Sequence, residues 1–274
     1  MSTTRLAFVA LSSVVLLGTM YSVVYNTYLD TSNPLLTHLP HPLSKSHRWA
    51  SKSNPLNVYF IKQAWAWTSA AFVSAWLTGP PSTRTAPRLA RWLSATAAWL
   101  LFTAWFFGPA LIERIVLASG GECVLSLPDG GALSLPAEYC HAHAAVSPAT
   151  HPALFASPAA SSFALPTEWR AIPRLRRGHD VSGHIFLLTL SVLLLAQQLG
   201  PSFRLTRWST PHTLAIWANS ALICIWLFAT GTTSIYFHSP GEKISGYILG
   251  LACFAIAQVP GFLMAMPREK PHSS

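Results

Sequence analysis

The chain has 274 residues, of which 51% are hydrophobic and only 10% charged, and it carries 11 tryptophans. Soluble domains carry about 25% charged residues, so this composition, with a mean hydropathy of +0.38, excludes an ordinary soluble domain and points to one membrane domain. The net charge of +9 comes from 18 Lys and Arg residues placed mostly beside apolar stretches, which marks topology-setting charge and excludes nucleic acid as a partner.

A spanning helix needs about 20 predominantly apolar residues. Six stretches approach that length, which predicts an all-α integral membrane protein of about six helices. The first, residues 6–25, is longer than a signal-peptide core and lacks a small-residue cleavage site after it, so it is expected to be a retained span. The second, 56–77, contains Lys62, an intramembrane cation that either snorkels or serves a site. The third, 92–107, ends at Gly108-Pro109, where a kink or re-entrant piece is expected. The fourth, fifth and sixth stretches run at 181–199, 213–235 and 245–266. Trp49, Tyr59, Trp92, Trp105, Trp208 and Tyr236 lie near segment ends, as interfacial anchors do.

The long segment 108–180 separates the third stretch from the fourth. It holds Glu113, Arg114, the turn signal Pro128-Asp129-Gly130-Gly131, and Cys123 and Cys140. A bond between those two cysteines is open on the sequence, while Cys224 and Cys253 read as packing residues within spans. Residues 141–173, rich in Ala, Ser, Pro and His, read as a mobile insertion with little to build a core. Arg5, then Arg84, Arg88 and Arg91, then Arg204 and Arg207, then Arg268 and Lys270 fall on one side. Lys45, Arg48, Lys52 and Lys243 fall on the other. The larger positive set predicts that both termini are cytosolic and that the long segment is lumenal.

Two polar runs interrupt the apolar territory: His179-Asp180-Val181-Ser182-Gly183-His184, and Tyr236-Phe237-His238-Ser239-Pro240-Gly241-Glu242-Lys243. The short link after the fourth span makes the fourth and fifth antiparallel neighbours. The start of one and the end of the other then share a membrane face, where His184 and His238 can meet. Such a pair suits phosphoryl transfer, one imidazole attacking phosphorus and the other protonating the departing oxygen. Glu242, four residues after His238, and Asp180, four before His184, are candidate orienting carboxylates. Ser182 is a helix cap, Gly183 permits close backbone approach, and the free N–H groups there suit an anion. Lys243 and Arg114 are candidate cations for a phosphate. Arg174, Arg176 and Arg177 read as surface charge. His38, His41, His47 and His151 lack metal-ligand spacing, and His141-Ala142-His143 is a weak metal candidate, so neither a metal nor another cofactor is expected.

These runs, with Phe107-Gly108-Pro109, Glu113-Arg114-Ile115, Gly120-Gly121-Glu122-Cys123 and the segment Asn57-Val58-Tyr59-Phe60-Ile61-Lys62, resemble the fat storage-inducing transmembrane (FIT) family, in particular its fungal branch. That family is similar to the lipid phosphate phosphatases. The resemblance implies a lipid-phosphatase-like helical core, with His184 as general acid and His238 with Glu242 as the nucleophile pair. It also implies an endoplasmic-reticulum enzyme cleaving the diphosphate of fatty acyl-coenzyme A or another phospholipid-type substrate from the lumenal side. Acyl phosphopantetheine and an adenosine bisphosphate would be the products, in support of lipid-droplet biogenesis and ER lipid balance. Neutral lipids are further implied partners. Position 232 is Thr, where the phosphatases place an arginine six residues before their nucleophile, and Gly178-His179 stands where the family tends to have Gly-Gly. The competing expectation is a non-enzymatic scaffold that binds triacylglycerol and diacylglycerol. A transporter is disfavoured because polar-interrupted helices do not repeat along the chain.

Overall fold

The computed structural model describes residues 2–29, 40–104, 109–128, 131–156, 165–166 and 168–264. Expectations placed on His38, Trp105, Phe107, Gly108, Asp129-Gly130, Arg268 and Lys270 lie outside them. The helices are α1 (Thr3–Val24), α2 (Ala64–Thr78), α3 (Ala86–Thr103), the short α4 (Leu111–Ala118), α5 (Ala137–His141) and α6 (Pro152–Phe155), then α7 (Gly183–Leu199), α8 (Thr210–Tyr236) and α9 (Pro240–Leu263). By length and composition α1, α7 with its continuation to Arg204, α8 and α9 are able to cross a membrane.

The two remaining expected spans are helical but differ from ideal spanning helices. The approach to α2 is a π turn over Leu56–Phe60 followed by a 3-10 turn over Ile61–Gln63, so regular α-helix begins only at Ala64. Such irregular turns re-aim side chains, here Lys62. Helix α3 starts earlier than the apolar run suggests, because Pro87 suits a first turn and Arg88 is buried against neighbouring polar groups. Arg88 donates to the Gln198 side chain at 2.7 Å, to its carbonyl at 2.8 Å and to the Thr83 carbonyl at 2.5 Å.

Helix α7 is the centre of the bundle. Its sequence is apolar all round, and a helix of that kind stabilises the fold only when enclosed. One face, with Ile185, Leu188 and Val192, packs with Leu11, Val15, Phe72 and Trp226. The opposite face, with Phe186, Leu190 and Leu194, packs with Trp65, Ala95 and Phe102. Helix α9 lies close against α7 because glycines face it. A Cβ at Gly246 would stand 2.5 Å from the Ser182 carbonyl, and one at Gly250 would stand 2.6 Å from Thr189 Cβ.

Segment 108–180 is not purely helical. It carries a three-stranded antiparallel sheet, ordered β2-β1-β3, of β1 (Glu122–Ser126), β2 (Ala132–Leu135) and β3 (Arg174–Arg176). Cys123 on β1 is bonded to Cys140 on α5. The described part of 141–173 corrects the expectation of a coreless insertion: Leu154, Phe155 and Trp169 pack on Cys123, Leu125, Leu135 and Val146. The aromatic residues among the Ala and Pro, with a bridge between Val146 and Ala171, supply what the composition hid.

Candidate active site

Three helix ends converge at one end of the bundle. Ser182 caps α7, its hydroxyl accepting from the Ile185 N–H at 3.4 Å. Its own N–H donates to the Glu242 carbonyl at 3.0 Å, which ties the first polar run directly to the second. Ser239 caps α9, and the Glu242 carboxylate accepts from the Ser239 N–H at 2.8 Å, the acidic half of a capping box. Between α8 and α9 the chain turns at His238, whose φ of 59° lies in the left-handed region. A non-glycine residue held there stores backbone strain, which recurs at functional sites. The segment after α1 braces this corner: Leu29 N–H donates to the Tyr236 carbonyl at 3.0 Å, and Thr27 Oγ1 donates to the Ile235 carbonyl at 2.8 Å.

The corner opens on a cavity of about 1020 Å³ whose walls include His184, His238 and Asp180. His238 Nδ1 lies 3.4 Å from Glu242 Oε2 and 4.0 Å from Asp180 Oδ2. That nitrogen is buried and makes no hydrogen bond among the described residues. The carboxylates therefore flank Nδ1, and Nε2 is the nitrogen left to face a substrate. The Glu242 side chain is 3% exposed, so its charge acts with little screening by water. Asp180 is held above the ordinary carboxyl range chiefly by burial, with the Glu242 charge adding to the rise and His238 and His179 opposing it.

Other expected site residues fall elsewhere. Lys243 is fully buried, and its ammonium donates to Ser22 Oγ and the Ser234 carbonyl, both at 2.7 Å, beneath the Tyr28 ring. It ties α1 and α8 together and does not line the cavity, because one residue beyond Glu242 the helix has turned by about 100°. Arg114 is on an exposed face of α4 and donates to the Pro109 carbonyl at 2.9 Å. Ser182 is sealed beneath the cap, and no protein atom crowds Gly183, where a Cβ would meet only Ile112 Cδ1 at 3.9 Å. His143 does lie on the cavity wall, paired there with Glu113 at 3.1 Å, and no described group of three or more His, Cys, Asp or Glu is arranged to hold a metal.

The cations that do line the cavity are Lys52, Lys62, Arg174, Arg176 and Arg177. Sequence reasoning singled out Lys62 and took the three arginines for surface charge. The signal was the Arg-Leu-Arg alternation, which on a strand puts Leu175 on one face and both arginines on the other. The Gly178-His179 departure also acquires a reason. Gly178 has a φ of 70° and leaves no room for a Cβ against the Val116 carbonyl. His179 bridges the loop to α9, its ring contacting Ser245 Oγ at 2.8 Å and its N–H donating to Ser119 Oγ at 2.6 Å.

The family model described as fat storage-inducing transmembrane protein matches residues 45–221, more than half of the chain, a stretch that includes His184 and stops short of His238. Similar proteins extend over the rest. The acyl-coenzyme A diphosphatase fit1 of Schizosaccharomyces pombe is 26% identical over 264 residues, covering 96% of this chain and 86% of the relative. The acyl-coenzyme A diphosphatase FITM2 of Xenopus tropicalis is 29% identical over 256 residues, with 85% and 79% covered. Human FITM2, with the same description, is 28% identical over 223 residues, with 77% and 71% covered. No solved structure matches. The extent of the family match, together with the helices able to cross a membrane, leads to one conclusion: the chain is an integral membrane protein that belongs to the fat storage-inducing transmembrane (FIT) family.

Proposed function

We propose that this protein is an endoplasmic-reticulum acyl-coenzyme A diphosphatase, with six membrane-crossing segments, both termini in the cytosol and its site on the lumenal side. His238 is the nucleophile, Glu242 its orienting carboxylate and His184 the general acid. The observation that carries the reading is the shared cavity of His184, His238 and Asp180, with the Glu242 carboxylate 3.4 Å from His238 Nδ1. The names of the fission yeast and frog relatives agree with it.

The chemistry follows from that arrangement. Neutral His238 attacks one phosphorus of the diphosphate through Nε2, forming a P–N bond as the bridging P–O bond breaks. Protonated His184 gives its proton to the departing phosphate oxygen. The imidazole gains positive charge as it attacks, and the Glu242 carboxylate stabilises that charge through Nδ1–H. Water then attacks the phosphohistidine and gives a proton to the now neutral His184. The bond cleavage releases acyl phosphopantetheine and adenosine 3′,5′-bisphosphate and restores both histidines.

The test is turnover of acyl-coenzyme A by the purified chain in nanodiscs, with chelator present, for wild type, His238→Ala and His184→Ala. Turnover that chelator leaves intact and that both substitutions abolish, with the variants folded, is the expected result. Full turnover in either variant would refute the mechanism. A wild type inactive on acyl-coenzyme A and on phosphatidic acid would move the reading to a neutral-lipid scaffold.

A further inference from the structure

The cavity holds more positive charge than a reacting diphosphate flanked by two histidines requires, and that charge is grouped. Arg174 and Arg176 lie two apart on β3, so strand alternation puts them on one face, while Leu175 packs into the small core behind. Lys52, from the connection before α2, stands close enough for both guanidiniums to act on it. Loss of water within the cavity walls pulls the Lys52 ammonium below its ordinary value, and Arg176 and then Arg174 pull it further. Arg176 is lowered too, first by burial and then by Arg174. Two guanidiniums held on one face of a strand cost free energy unless an anion joins them. Among the described residues Glu122 holds Arg177 at 3.0 Å, Glu113 pairs with His143, and Asp180 faces His238. Among the described residues no carboxylate forms an ion pair with Arg174 or Arg176.

Construction of the support matches a binding role. The β3 ribbon is held in register by β1, with Arg174 opposite Val124 and Arg176 opposite Glu122, and β1 is tied through Cys123–Cys140 to α5. A framework of this kind holds long cationic side chains in one place, which lowers the ordering cost of gripping a ligand. The cavity, at about 1020 Å³, reaches the upper end of the range for small-molecule sites and exceeds what one phosphate fills.

We propose that Lys52, Arg174 and Arg176 form an anion subsite that takes a second phosphate group of the substrate headgroup, a phosphate monoester remote from the bond being cleaved. The inference rests on the reading of the site as a phosphoanhydride hydrolase and adds what selects the substrate. In acyl-coenzyme A that group is the 3′-phosphate of the ribose. Arginine suits it because a guanidinium offers parallel N–H donors to a dianionic phosphate.

The experiment uses the full chain in nanodiscs and two substrates, acyl-coenzyme A and its 3′-dephospho form. Direct binding is measured in parallel with adenosine 3′,5′-bisphosphate and adenosine 5′-monophosphate. Wild type should favour acyl-coenzyme A through a KM about tenfold lower or better, since hydrogen bonds to charged groups contribute on that scale. In R174Q/R176Q the KM ratio of the two substrates should collapse toward one. His238→Ala should turn over neither substrate yet still bind the bisphosphate more tightly than the monophosphate. K52Q, which leaves the sheet untouched, should move the ratio in the same direction and guards against a folding defect in the arginine variant. A wild type that does not distinguish the substrates, or a preference that survives R174Q/R176Q and K52Q, would overturn the subsite while leaving the reaction in place. Absence of turnover with bisphosphate binding that R174Q/R176Q abolishes would defeat the reaction and keep the subsite.

Discussion

Glu242→Gln separates the charge of this carboxylate from its structural duty. Gln keeps a side-chain oxygen able to accept from the Ser239 N–H, now at 2.8 Å, so the capping box survives and stability should change by less than the ~1 kcal/mol of a lost cap. The charge beside His238 Nδ1, 3.4 Å away, is removed. Opposite unit charges about 4 Å apart attract by about 4 kcal/mol at an effective permittivity near 20. That is about three powers of ten in rate if the full interaction is realised as the imidazole becomes cationic. Asp180 remains, 4.0 Å from the same nitrogen, and offsets part of the loss. The expected result is a kcat lower by about 10²–10³-fold with little change in KM. Acyl-coenzyme A turnover beside thermal unfolding in nanodiscs measures both quantities. A wild-type kcat in E242Q would refute the orienting role, and a loss of rate that merely follows a loss of folded protein would reduce Glu242 to a cap.

Three further outcomes are expected. Gly246→Ala places a Cβ 2.5 Å from the Ser182 carbonyl; overpacking of this kind costs about 1–3 kcal/mol. By pushing α9 off the cap of α7, the substitution should lower kcat as well as thermal stability, whereas Gly231→Ala, whose Cβ would come no closer than 3.5 Å to Val14 Cγ1, should leave the site geometry alone. Asp180 binds its proton more tightly folded than unfolded, because burial raises its pKa above 3.8. Ionising it therefore subtracts stability as pH rises through the window above 3.8. Asp180→Asn should be more stable than wild type at neutral pH and lose that advantage below pH 3.8, as unfolding at the two pH values would show. Cys123→Ser removes a link across a sequence separation of 17, for which chain entropy predicts a loss of about 3 kcal/mol if the small domain unfolds as a unit. Loosening β3 should raise KM for acyl-coenzyme A more than it lowers kcat.

The spans and the meeting of the two polar runs were legible because they depend on local signals. Apolar length marked the long helices, Ser182 and Ser239 marked helix starts, and the short link from α7 to α8 imposed the antiparallel pairing that brings His184 and His238 to one cavity. Lys243 follows Glu242, which faces His238, but successive helical residues point about 100° apart and Lys243 does not line the cavity. Its actual partners, Ser22 and Ser234, come from α1 and α8, and nothing in the run around it announces them. Arg174 and Arg176 read as surface charge in the sequence although they line the cavity, because a three-residue strand is too short to show periodicity and its pairing partner β1 lies some fifty residues earlier.

The missing arginine six residues before His238 has a structural sequel. Position 232 is a threonine on the cavity wall, and the Thr232 and Thr233 hydroxyls both donate to the Ala229 carbonyl at 2.9 Å. The helix that ends at His238 therefore presents no cation of its own at this point. Charge comes instead from the non-helical connection at Lys52, the irregular turn at Lys62, and the β3 ribbon. A cation sealed inside the bundle is desolvated fully when the protein folds, whereas cations on a cavity wall lose only part of their hydration before a ligand arrives. Placing these cations off the helix that ends at His238 lowers that folding cost and leaves the apolar bundle to hold the histidines. It also separates two functions in the chain, so that substitutions on the ribbon should act mainly on KM and those at the helix ends mainly on kcat.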